Sequence, residues 1–375
     1  AVGEAKKDAP KPGPLARAWA HLRTMHSNGI LAQAIGIPLR HLFAAYGLSL
    51  VFRGKVSWRT GTLAFIFWPI SGLGVTAGAH RLWTHQSYKA SAIMESLLMV
   101  MFSTADQGPI EGWALTHAMH HSASDTRWDP HNRKAGFYHA HFGWLFSSQK
   151  FRLSSSEYHR VTKGLGPAAR FHDRNCVWWD PMWSIGFPAL VAGLWGEFWP
   201  GLFVAGALRW FCVQHITFFV NSVAHGEQEA GHPRAFDASA DGIGPRVSFL
   251  VTVLALGEGW HDYHHLFPWD YAAAELDAWD QWNPTKVFID MCCWAGIGSH
   301  RRRCSTRLQE LRRSQLIDKA GCDDPDGPEG PVKERSYKVL GLPLLRYRVL
   351  VEDTECGDHQ KHGQSGRSRD SMQPL

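Results

Sequence analysis

Residues 62–85 read TLAFIFWPISGLGVTAGAHRLWTH, and this stretch decides what kind of fold the chain can adopt. Its first part, from Thr62 to Ala79, is uncharged and about 18 residues long, close to what an α-helix needs to cross a hydrocarbon layer of roughly 30 Å. His80 and His85 follow at once. The stretch therefore predicts a membrane-spanning helix that carries two histidines to one surface of the bilayer.

Three further apolar runs predict three more spans. The four predicted spans cover about 35–52, 62–79, 183–197 and 201–220. Another run, Ala92–Phe102, is too short to cross a bilayer and predicts a buried or interfacial helix. Spans that come in pairs return the chain to the side on which it started, so the polar segments share one aqueous face. The predicted fold class is an all-α integral membrane protein with four transmembrane helices in two hairpins and a helical cap that holds a metal site.

The distribution of basic residues predicts the orientation of this fold. Most lysines and arginines, including the run 301–303, fall on the capped side, which we therefore expect to be cytosolic. Arg53, Lys55 and Arg59 oppose this assignment, because they fall in a short loop on the other side. The predicted organisation is a mobile N-terminal segment, a membrane domain with its cap, and a disordered tail, at residues 1–30, 31–316 and 317–375.

The composition excludes several classes of protein. Charged residues make up 19% of the chain, below the roughly 25% of an average soluble protein. The 18 tryptophans are an excess, and this residue favours the boundary between water and lipid. A net charge of +5 is too small and too dispersed to indicate a nucleic-acid partner. Seven cysteines without a Cys-x-x-Cys pair indicate reduced thiols rather than a disulfide framework.

The histidines, 22 in all, fall partly into clusters. The clusters are His80 with His85; His117, His120 and His121; Asn221 with His225; and His261, His264 and His265. Residues at i, i+3 and i+4 share one face of a helix, so the members of each of the last three clusters point one way. His80 and His85 are five apart and about 140° out of register on an α-helix. Both reach one site only if the helix ends or bulges between them.

This many imidazoles without a thiolate indicates a transition-metal site. Neutral imidazole binds iron, copper, zinc and nickel, whereas a structural zinc site is complete with four ligands and usually includes cysteine. Nine histidines exceed what one metal can use, so we expect two metals that share the set, with Asn221 placed to hold a water molecule. A single histidine is more often an ordinary hydrogen-bonded polar residue, but the repeated spacing makes that interpretation untenable for the whole set.

Other polar residues near the clusters have less certain roles. We interpret six further histidines as surface, interfacial or supporting residues: His131, His139, His141, His159, His172 and His215. Glu258 and Asp262 flank the third histidine triplet, and a carboxylate there could accept the second ring N–H of a metal-bound histidine. They could equally be solvated surface charges.

The clusters resemble those of the integral-membrane fatty acyl desaturases, specifically the stearoyl-CoA (delta-9) type. The resemblance extends over about residues 35–310 and rests on the order and spacing of five motifs. They are GVTAGAHRLWTH at 74–85, DPHN at 129–132, GWL at 143–145, NSVAH at 221–225 and GEGWHDYHHLFP at 257–268. The resemblance implies four transmembrane helices, a cytosolic cap and a non-haem di-iron centre that uses O2. It also implies cytochrome b5 and its reductase, or another external protein, as the source of electrons.

Carried over by position, the resemblance assigns roles to individual residues. The iron ligands are His80, His85, His117, His120, His121, His225, His261, His264 and His265, with Asn221 on a bound water. Three residues, Gln107, Trp113 and Thr217, match the family's positions at the bend of the acyl tunnel. Trp113 and Thr217 precede His117 and Asn221 by one helical turn, which places both beside the metals.

Some positions depart from the animal family pattern and leave the acyl carrier open. An Arg-Asp pair that serves the CoA head group is replaced by Leu115 and Thr116, and an Arg-Lys pair by Ser148 and Gln149. Gly108 stands where the family has an asparagine. The substrate is therefore expected to be a fatty acyl-CoA or an acyl-lipid. We expect an endoplasmic reticulum membrane, with a plastid membrane as the alternative.

Two competing functions remain open at this stage. A related membrane di-iron hydroxylase shares the histidine clusters but inserts oxygen into the chain, and the context of residues 78–85 favours desaturation over it. A histidine-lined metal carrier is the more remote alternative, because a carrier needs polar groups at the bilayer midplane and these histidines follow helix ends.

Overall fold

The computed structural model of the chain describes residues 30–147, 153–226, 236, 243–321, 333–339 and 342–349. The N-terminal segment predicted to be mobile lies outside these residues except for its last position. The positions of Ser148 and Gln149, where the family's Arg-Lys pair is replaced, also lie outside them.

The described chain is predominantly helical. The helices are α1 Ile30–Phe52, α2 Trp58–Leu73, α3 Ala92–Ala105, α4 Ile110–Ala123, α5 Phe137–His141, α6 Ser155–Gly164, α7 Pro167–Pro181, α8 Phe187–Gly193, α9 Phe198–Pro200, α10 Arg209–Ser222, α11 Phe249–Leu254, α12 His261–Leu266, α13 Pro284–Trp294 and α14 Thr306–Gly321. π-Helical segments extend α2 (Gly74–Thr84), join α7 to α8 (Met182–Gly186) and join α9 to α10 (Gly201–Leu208), and two short 3₁₀ turns cover Arg133–Ala135 and Gly143–Phe146.

Three of the described helices are long and apolar enough to cross a membrane. They are Ala34–Phe52, Trp58–Thr84 and Phe198–Ser222, each with a mean hydropathy of 1.4. They correspond to the predicted spans at 35–52, 62–79 and 201–220, which are therefore confirmed as helices of spanning length. The second extends five residues further than predicted, through His80 to Thr84, because the helix continues in π geometry rather than ending.

The predicted span at 183–197 is not among them. Its apolar part comprises a π-helical segment of five residues and the seven-residue helix α8, and both continue the polar helix α7. The helix ends at Gly193, before the predicted boundary, and Gly196 turns the chain with φ +81°. Pro200, which falls between two of the predicted spans, lies in α9, where proline is tolerated because the N–H groups in the first turn of a helix have no intrahelical acceptor.

The loops at the far end of the spanning helices are tied to each other. Glu197 accepts hydrogen bonds from the backbone N–H of Ser57 at 3.0 Å and from its hydroxyl at 2.7 Å, as well as from Thr60. The Trp195 indole N–H donates to Thr60 Oγ1 at 2.9 Å. The turn before α2 and the turn before α9 therefore lie at the same end of the helices, opposite the histidines.

Helix α3 buries one apolar face and exposes apolar side chains on the other, as expected of a buried or interfacial helix. Met94, Leu98 and Phe102 are fully buried, whereas Ile93 is 70% exposed and Leu97 is 43% exposed. The buried face packs against the π-helical extension of α2, where Gly74 leaves no room for a side chain: a Cβ there would collide with the backbone of Met101 and Phe102. The prediction of a buried or interfacial helix at Ala92–Phe102 is confirmed in its position and pattern.

Short strands complete the described chain. β1 (Lys89–Ala90) pairs antiparallel with β2 (Gly298–Ser299), and β3 (Lys333–Val339) pairs antiparallel with β4 (Leu342–Val349). The second hairpin falls within residues 317–375, which were predicted to be disordered. Most of the remaining residues of that tail lie outside the described chain, and their predicted disorder stays a prediction.

The arginine run at 301–303 makes contacts within the described chain. Arg301 pairs with Asp290, and Arg302 lies over the ring of Trp269, 5.4 Å from its centroid. Arg303 pairs with buried Asp270 at 3.1 Å. Arg303 is therefore used inside the protein, whereas Arg301 and Arg302 remain exposed.

Candidate metal centre

The first histidine pair lies where the second spanning helix widens into the π-helical segment Gly74–Thr84. The His85 amide donates to the His80 carbonyl, 3.1 Å away, five residues earlier. This pattern brings residues five apart onto one side of the helix, and the two ring centroids lie 4.8 Å apart. The bulge that the spacing requires is therefore present.

The second and third clusters lie on helices α4 and α12. His117 and His121 on α4 approach each other at 3.1 Å between Nε2 atoms, and His261 and His265 on α12 do the same at 3.1 Å. The remaining members of the two triplets, His120 and His264, turn away from their own helical neighbours. Each triplet therefore contributes to two different groups.

His225 reaches the centre from beyond a helix rather than from within it. Helix α10 ends at Ser222, so His225 does not share a helical face with Asn221 as predicted, but lies in the turn that follows. Its Nε2 lies 2.9 Å from Nε2 of His261. Asn221 lies in the last turn of α10 and lines a cavity together with His80, His117 and His261.

All nine predicted histidines converge on two adjacent groups. The first contains His80, His85, His117, His121 and His264, and the second contains His120, His225, His261 and His265. Within each group the nitrogens that could bind a metal lie within 4.8 Å of one another. The rings of His121 and His265 stack at 4.3 Å, which shows that the groups touch.

Carboxylates hold the outer nitrogens of several of these rings. Nδ1 of His80 lies 2.9 Å from Glu258, Nδ1 of His120 lies 2.9 Å from Asp129, and Nδ1 of His225 lies 2.7 Å from Asp125. Sequence analysis identified Glu258 as a possible partner, and Arg81 fixes its carboxylate with a second contact at 2.8 Å. It missed both aspartates, although they follow the second triplet within the polar segment and one opens the DPHN motif. Asp262 instead accepts the backbone N–H of the next residue.

The resulting protonation pattern calls for a cation. Because an ionised carboxylate can only accept, Nδ1 of His120 and of His225 each carry the proton, and their Nε2 atoms are bare acceptors. These two bare nitrogens face each other at 3.1 Å, and the Nε2 of His80, whose Nδ1 faces Glu258, lies 2.9 Å from Nε2 of His264. Two lone pairs at this distance repel each other unless a positive ion lies between them.

The spacing also fits metal coordination. Throughout the two groups, the histidine–histidine contacts join Nε2 to Nε2 at 2.9–3.3 Å. Two imidazoles bound at right angles, each about 2.1 Å from a metal, would place their nitrogens about 3.0 Å apart. The clusters are therefore compatible with metal binding.

Electrostatics favour the neutral, metal-binding form of most rings. Burial, followed by the neighbouring imidazoles, holds the pKa of His117, His121 and His265 well below the usual value. Burial also acts to lower the pKa of His120, but Asp129 outweighs it and the pKa is raised. A carboxylate partner of this kind makes an imidazole a more basic metal ligand.

The histidines outside the motifs divide into four environments. His131 lies edge-on to His120, with 5.3 Å between centroids, and within 4.0 Å of Asp129, so it supports the centre. His172 is buried against Asp180, and His141 and His215 form a separate hydrogen-bonded chain with His41. His159 is exposed, and His139 is partly exposed.

A cavity opens beside the histidines. Its apolar walls come from the second and last spanning helices and from α11: Trp68, Gly72, Val75, Val213, Ile216, Val220, Leu254 and Ala255. At its metal end it is bounded by His80, His117 and His261. The cavity is therefore an apolar chamber with potential ligands at one end.

The three residues predicted to contact substrate meet at this cavity. Trp113 and Thr217 line it, and Gln107 joins them by accepting from the Trp113 indole at 3.0 Å and donating to Thr217 Oγ1 at 2.8 Å. The Trp113 ring also stacks on His117 at 5.1 Å. We call these three residues the polar clamp.

Comparisons with known proteins agree with this architecture. Residues 57–283 match the family model of fatty acid desaturases. The chain is 39% identical to stearoyl-CoA desaturase 5 of Bos taurus, covering 75% of this chain and 82% of that protein. It is 36% identical to the acyl-CoA Delta(11) desaturase of Trichoplusia ni, with coverage of 76% and 82%. It is 39% identical to acyl-CoA desaturase 1 of Tachysurus fulvidraco, with coverage of 72% and 80%. The chain therefore belongs to the fatty acid desaturase family, the enzymes that its histidine clusters resemble.

Proposed function

We propose that this enzyme introduces a cis double bond into a long-chain fatty acyl-CoA, at the delta-9 position, with O2 as the oxidant. The observation that carries the proposal is the convergence of nine imidazole Nε2 atoms on two adjacent groups beside an apolar cavity. The names of the relatives support acyl-CoA as the substrate class.

We propose two non-haem irons as the bound metals, one for each histidine group. When bound, they would supply the reduction of O2 to two waters, using two external electrons, two protons and the two hydrogens removed from adjacent methylenes. The absence of any thiolate from the two groups and the facing Nε2 lone pairs support metals of this kind. The group of four has one fewer ligand, and Asn221, which lines the cavity together with His261 of that group, would hold a water for it.

The protein's own residues have three tasks in this proposal. The nine histidines hold the metals, and Glu258, Asp129 and Asp125 keep the ring protons on the outer nitrogens. Apolar side chains from the spanning helices receive the acyl chain and exclude water from the metal end. The polar clamp narrows the cavity one helical turn from the metal-facing histidines, which orients two neighbouring carbons toward the centre.

We further propose that the chain crosses the membrane four times, with 183–197 as the third span. The ties between Glu197, Ser57 and Thr60 support this topology, because they place the two far-side turns at one end of the bundle. The histidine end would then face the cytosol at the endoplasmic reticulum membrane. There, cytochrome b5 and its reductase would deliver the electrons.

Expression in a yeast strain without its own acyl desaturase tests the reaction. We expect growth without added unsaturated fatty acid and new delta-9 monoenes in the lipid profile. Hydroxylated acids without new alkenes would instead assign the chain to the hydroxylases. Assays of the purified enzyme with acyl-CoA and with acyl-lipid, in the presence of cytochrome b5 and its reductase, would identify the carrier.

A further inference from the structure

A second buried polar network lies outside the histidine centre, at the turn between α3 and α4. Asp106 ends α3 with φ 48° and ψ 58°, the left-handed region that residues with a side chain rarely adopt. Its side chain is almost completely buried. A buried carboxylate in an unfavourable backbone conformation must be held by specific partners.

Asp106 is held from three helical elements that cross or border the membrane. Its Oδ2 lies 2.6 Å from the Arg40 guanidinium on α1 and accepts from Ser184 Oγ at 3.2 Å, in the segment between α7 and α8. Its carbonyl accepts from the indole N–H of Trp210 on α10 at 3.4 Å. Arg40 also lies over the Trp210 ring, 5.2 Å from its centroid.

Arg209 completes the attachment from the other side of the turn. This buried guanidinium donates to the carbonyls of Thr104 and Ser184 and to Ser71 Oγ. These partners are neutral oxygens, and the contacts secure the last turn of α3. The carboxylate of Asp106 itself is bound by Arg40 and Ser184. Within the described part of the chain, the Arg40–Asp106 pair is therefore the direct ion pair that holds the side chain of this turn.

The next residue, Gln107, belongs to the polar clamp. Its amide makes both hydrogen bonds of the clamp, one to Trp113 and one to Thr217. A rotation of the backbone at Asp106 would carry this amide away from both partners. The Trp113 ring would then lose its fixed position against His117 at the metal end of the cavity.

We propose that the Arg40–Asp106 ion pair is a positioning device that determines which carbons of the acyl chain stop at the metal centre. It does so by holding the turn in the one conformation that lets Gln107 join Trp113 to Thr217. This inference rests on the proposed desaturation and adds to it two residues that no sequence motif identified.

Substitution of each partner tests the proposal through the position of the new double bond. Arg40→Gln removes the cation, and Asp106→Asn removes the anion while keeping a residue type that tolerates the left-handed backbone. Products are located by mass spectrometry of dimethyl disulfide adducts, alongside iron content, KM and kcat. The assay is run near pH 8, because burial raises the pKa of Asp106 to about 7 and Arg40 opposes that rise.

Wild-type enzyme should give one predominant isomer. In each variant we expect the ratio of the other positional isomers to this predominant isomer to rise at least about tenfold. KM should increase, and the iron content should not change. Arg40→Lys keeps the charge and should restore the wild-type distribution in large part. Arg312→Gln removes an exposed arginine and serves as the matched control without effect.

The following outcomes would contradict the inference or the proposed function on which it rests. Folded, iron-loaded single variants with the wild-type isomer distribution would overturn it. If the single variants do not fold, the double variant Arg40→Gln/Asp106→Asn removes both charges together. A folded double variant with wild-type products, or failure of all three variants to fold, would reduce the pair to a purely structural role. A wild-type enzyme that forms no alkene would instead refute the proposed function itself.

Discussion

Two sets of histidines in this molecule have similar distances between ring nitrogens but differ in which nitrogens make the contacts. In the metal centre, the rings meet through Nε2 on both sides, and carboxylates occupy Nδ1 of His80, His120 and His225. Near the membrane boundary, His215 uses both of its nitrogens, Nε2 toward His41 at 3.1 Å and Nδ1 toward His141 at 2.9 Å.

The difference shows that distance alone does not identify a metal site. In the second set, called here the histidine chain, the ends are His41 Nδ1, which donates to the Ile37 carbonyl at 2.8 Å, and His141 Nδ1, 2.9 Å from Ser222 Oγ. Neutral tautomers can satisfy each link with one donor and one acceptor. The histidine chain therefore needs no ion. In the candidate metal centre, by contrast, the Nε2 lone pairs of His120 and His225 face each other.

The largest expected effect comes from removing one histidine from each group of the centre. His120→Ala and His264→Ala should lower turnover by at least about 1,000-fold, because a missing ligand prevents correct metal loading. Lipid profiles of a complemented desaturase-deficient yeast measure the loss, and membrane fractionation checks that insertion is intact. His159→Ala, at an exposed position, serves as the control. Appreciable activity in either variant would refute the ligand assignment.

A smaller effect is expected from the carboxylates behind the rings. Asp129→Asn should weaken metal binding by about 10–100-fold, because it removes the group that fixes the Nδ1 proton of His120. The matched control is Asp180→Asn, which removes a carboxylate from His172, a buried histidine outside the centre. Metal titrations of the stripped protein compare the two, and equal affinities would contradict the account.

His172 shows a third histidine environment, with its own pH dependence. Burial acts to lower its pKa, but the carboxylates of Asp173, 3.7 Å away, and Asp180, 2.7 Å away, outweigh burial and raise the pKa to about 9. The stabilisation from this charged ring is complete below pH 6.5 and is lost as the pH rises through about 9. Because burial also raises the pKa of Asp180, we expect a net loss of about 2 kcal/mol.

Thermal unfolding of wild type and His172→Gln between pH 6 and about 10 measures this dependence. The difference in stability between the two proteins should shrink over that range. A difference that stays constant would show that the ring is neutral throughout.

The smallest effect is expected in the histidine chain. His215→Asn breaks at least one of its two ring contacts and should cost about 1 kcal/mol of unfolding free energy, with unchanged iron content. Chemical denaturation and metal analysis of the same preparation measure both. A His215→Asn variant that loses one iron would show that the histidine chain is part of the metal site.

Much of the centre could be predicted from residue spacing. Histidines at i, i+3 and i+4 on α4 and α12 and the step of five after a span are enough to identify eight of the nine residues, and His225 is found from its spacing to Asn221 although it lies beyond the helix. The spacing could not show that His117 and His120 serve different groups, because both lie on the same broad face of α4. That division depends on how α12 and the turn at His225 pack against it.

Other features depend on contacts that the sequence does not reveal. The π-helical widening before His85 begins at Gly74, where α3 packs closely against the helix. Asp125 and Asp129 act through folding of the segment after α4, so no regular spacing marks them. The helix in the predicted span at 183–197 ends at Gly193, four residues before the predicted boundary. The basic run 301–303 predicts surface charge, yet Arg303 forms an ion pair with the buried carboxylate of Asp270.

Iron analysis of the purified, intact enzyme tests the central claim most directly. Two irons per chain in wild type, with fewer in both His120→Ala and His264→Ala and no change in His215→Asn, is the result predicted here. A single labile zinc without iron, or iron retained in full by both alanine variants, would contradict it.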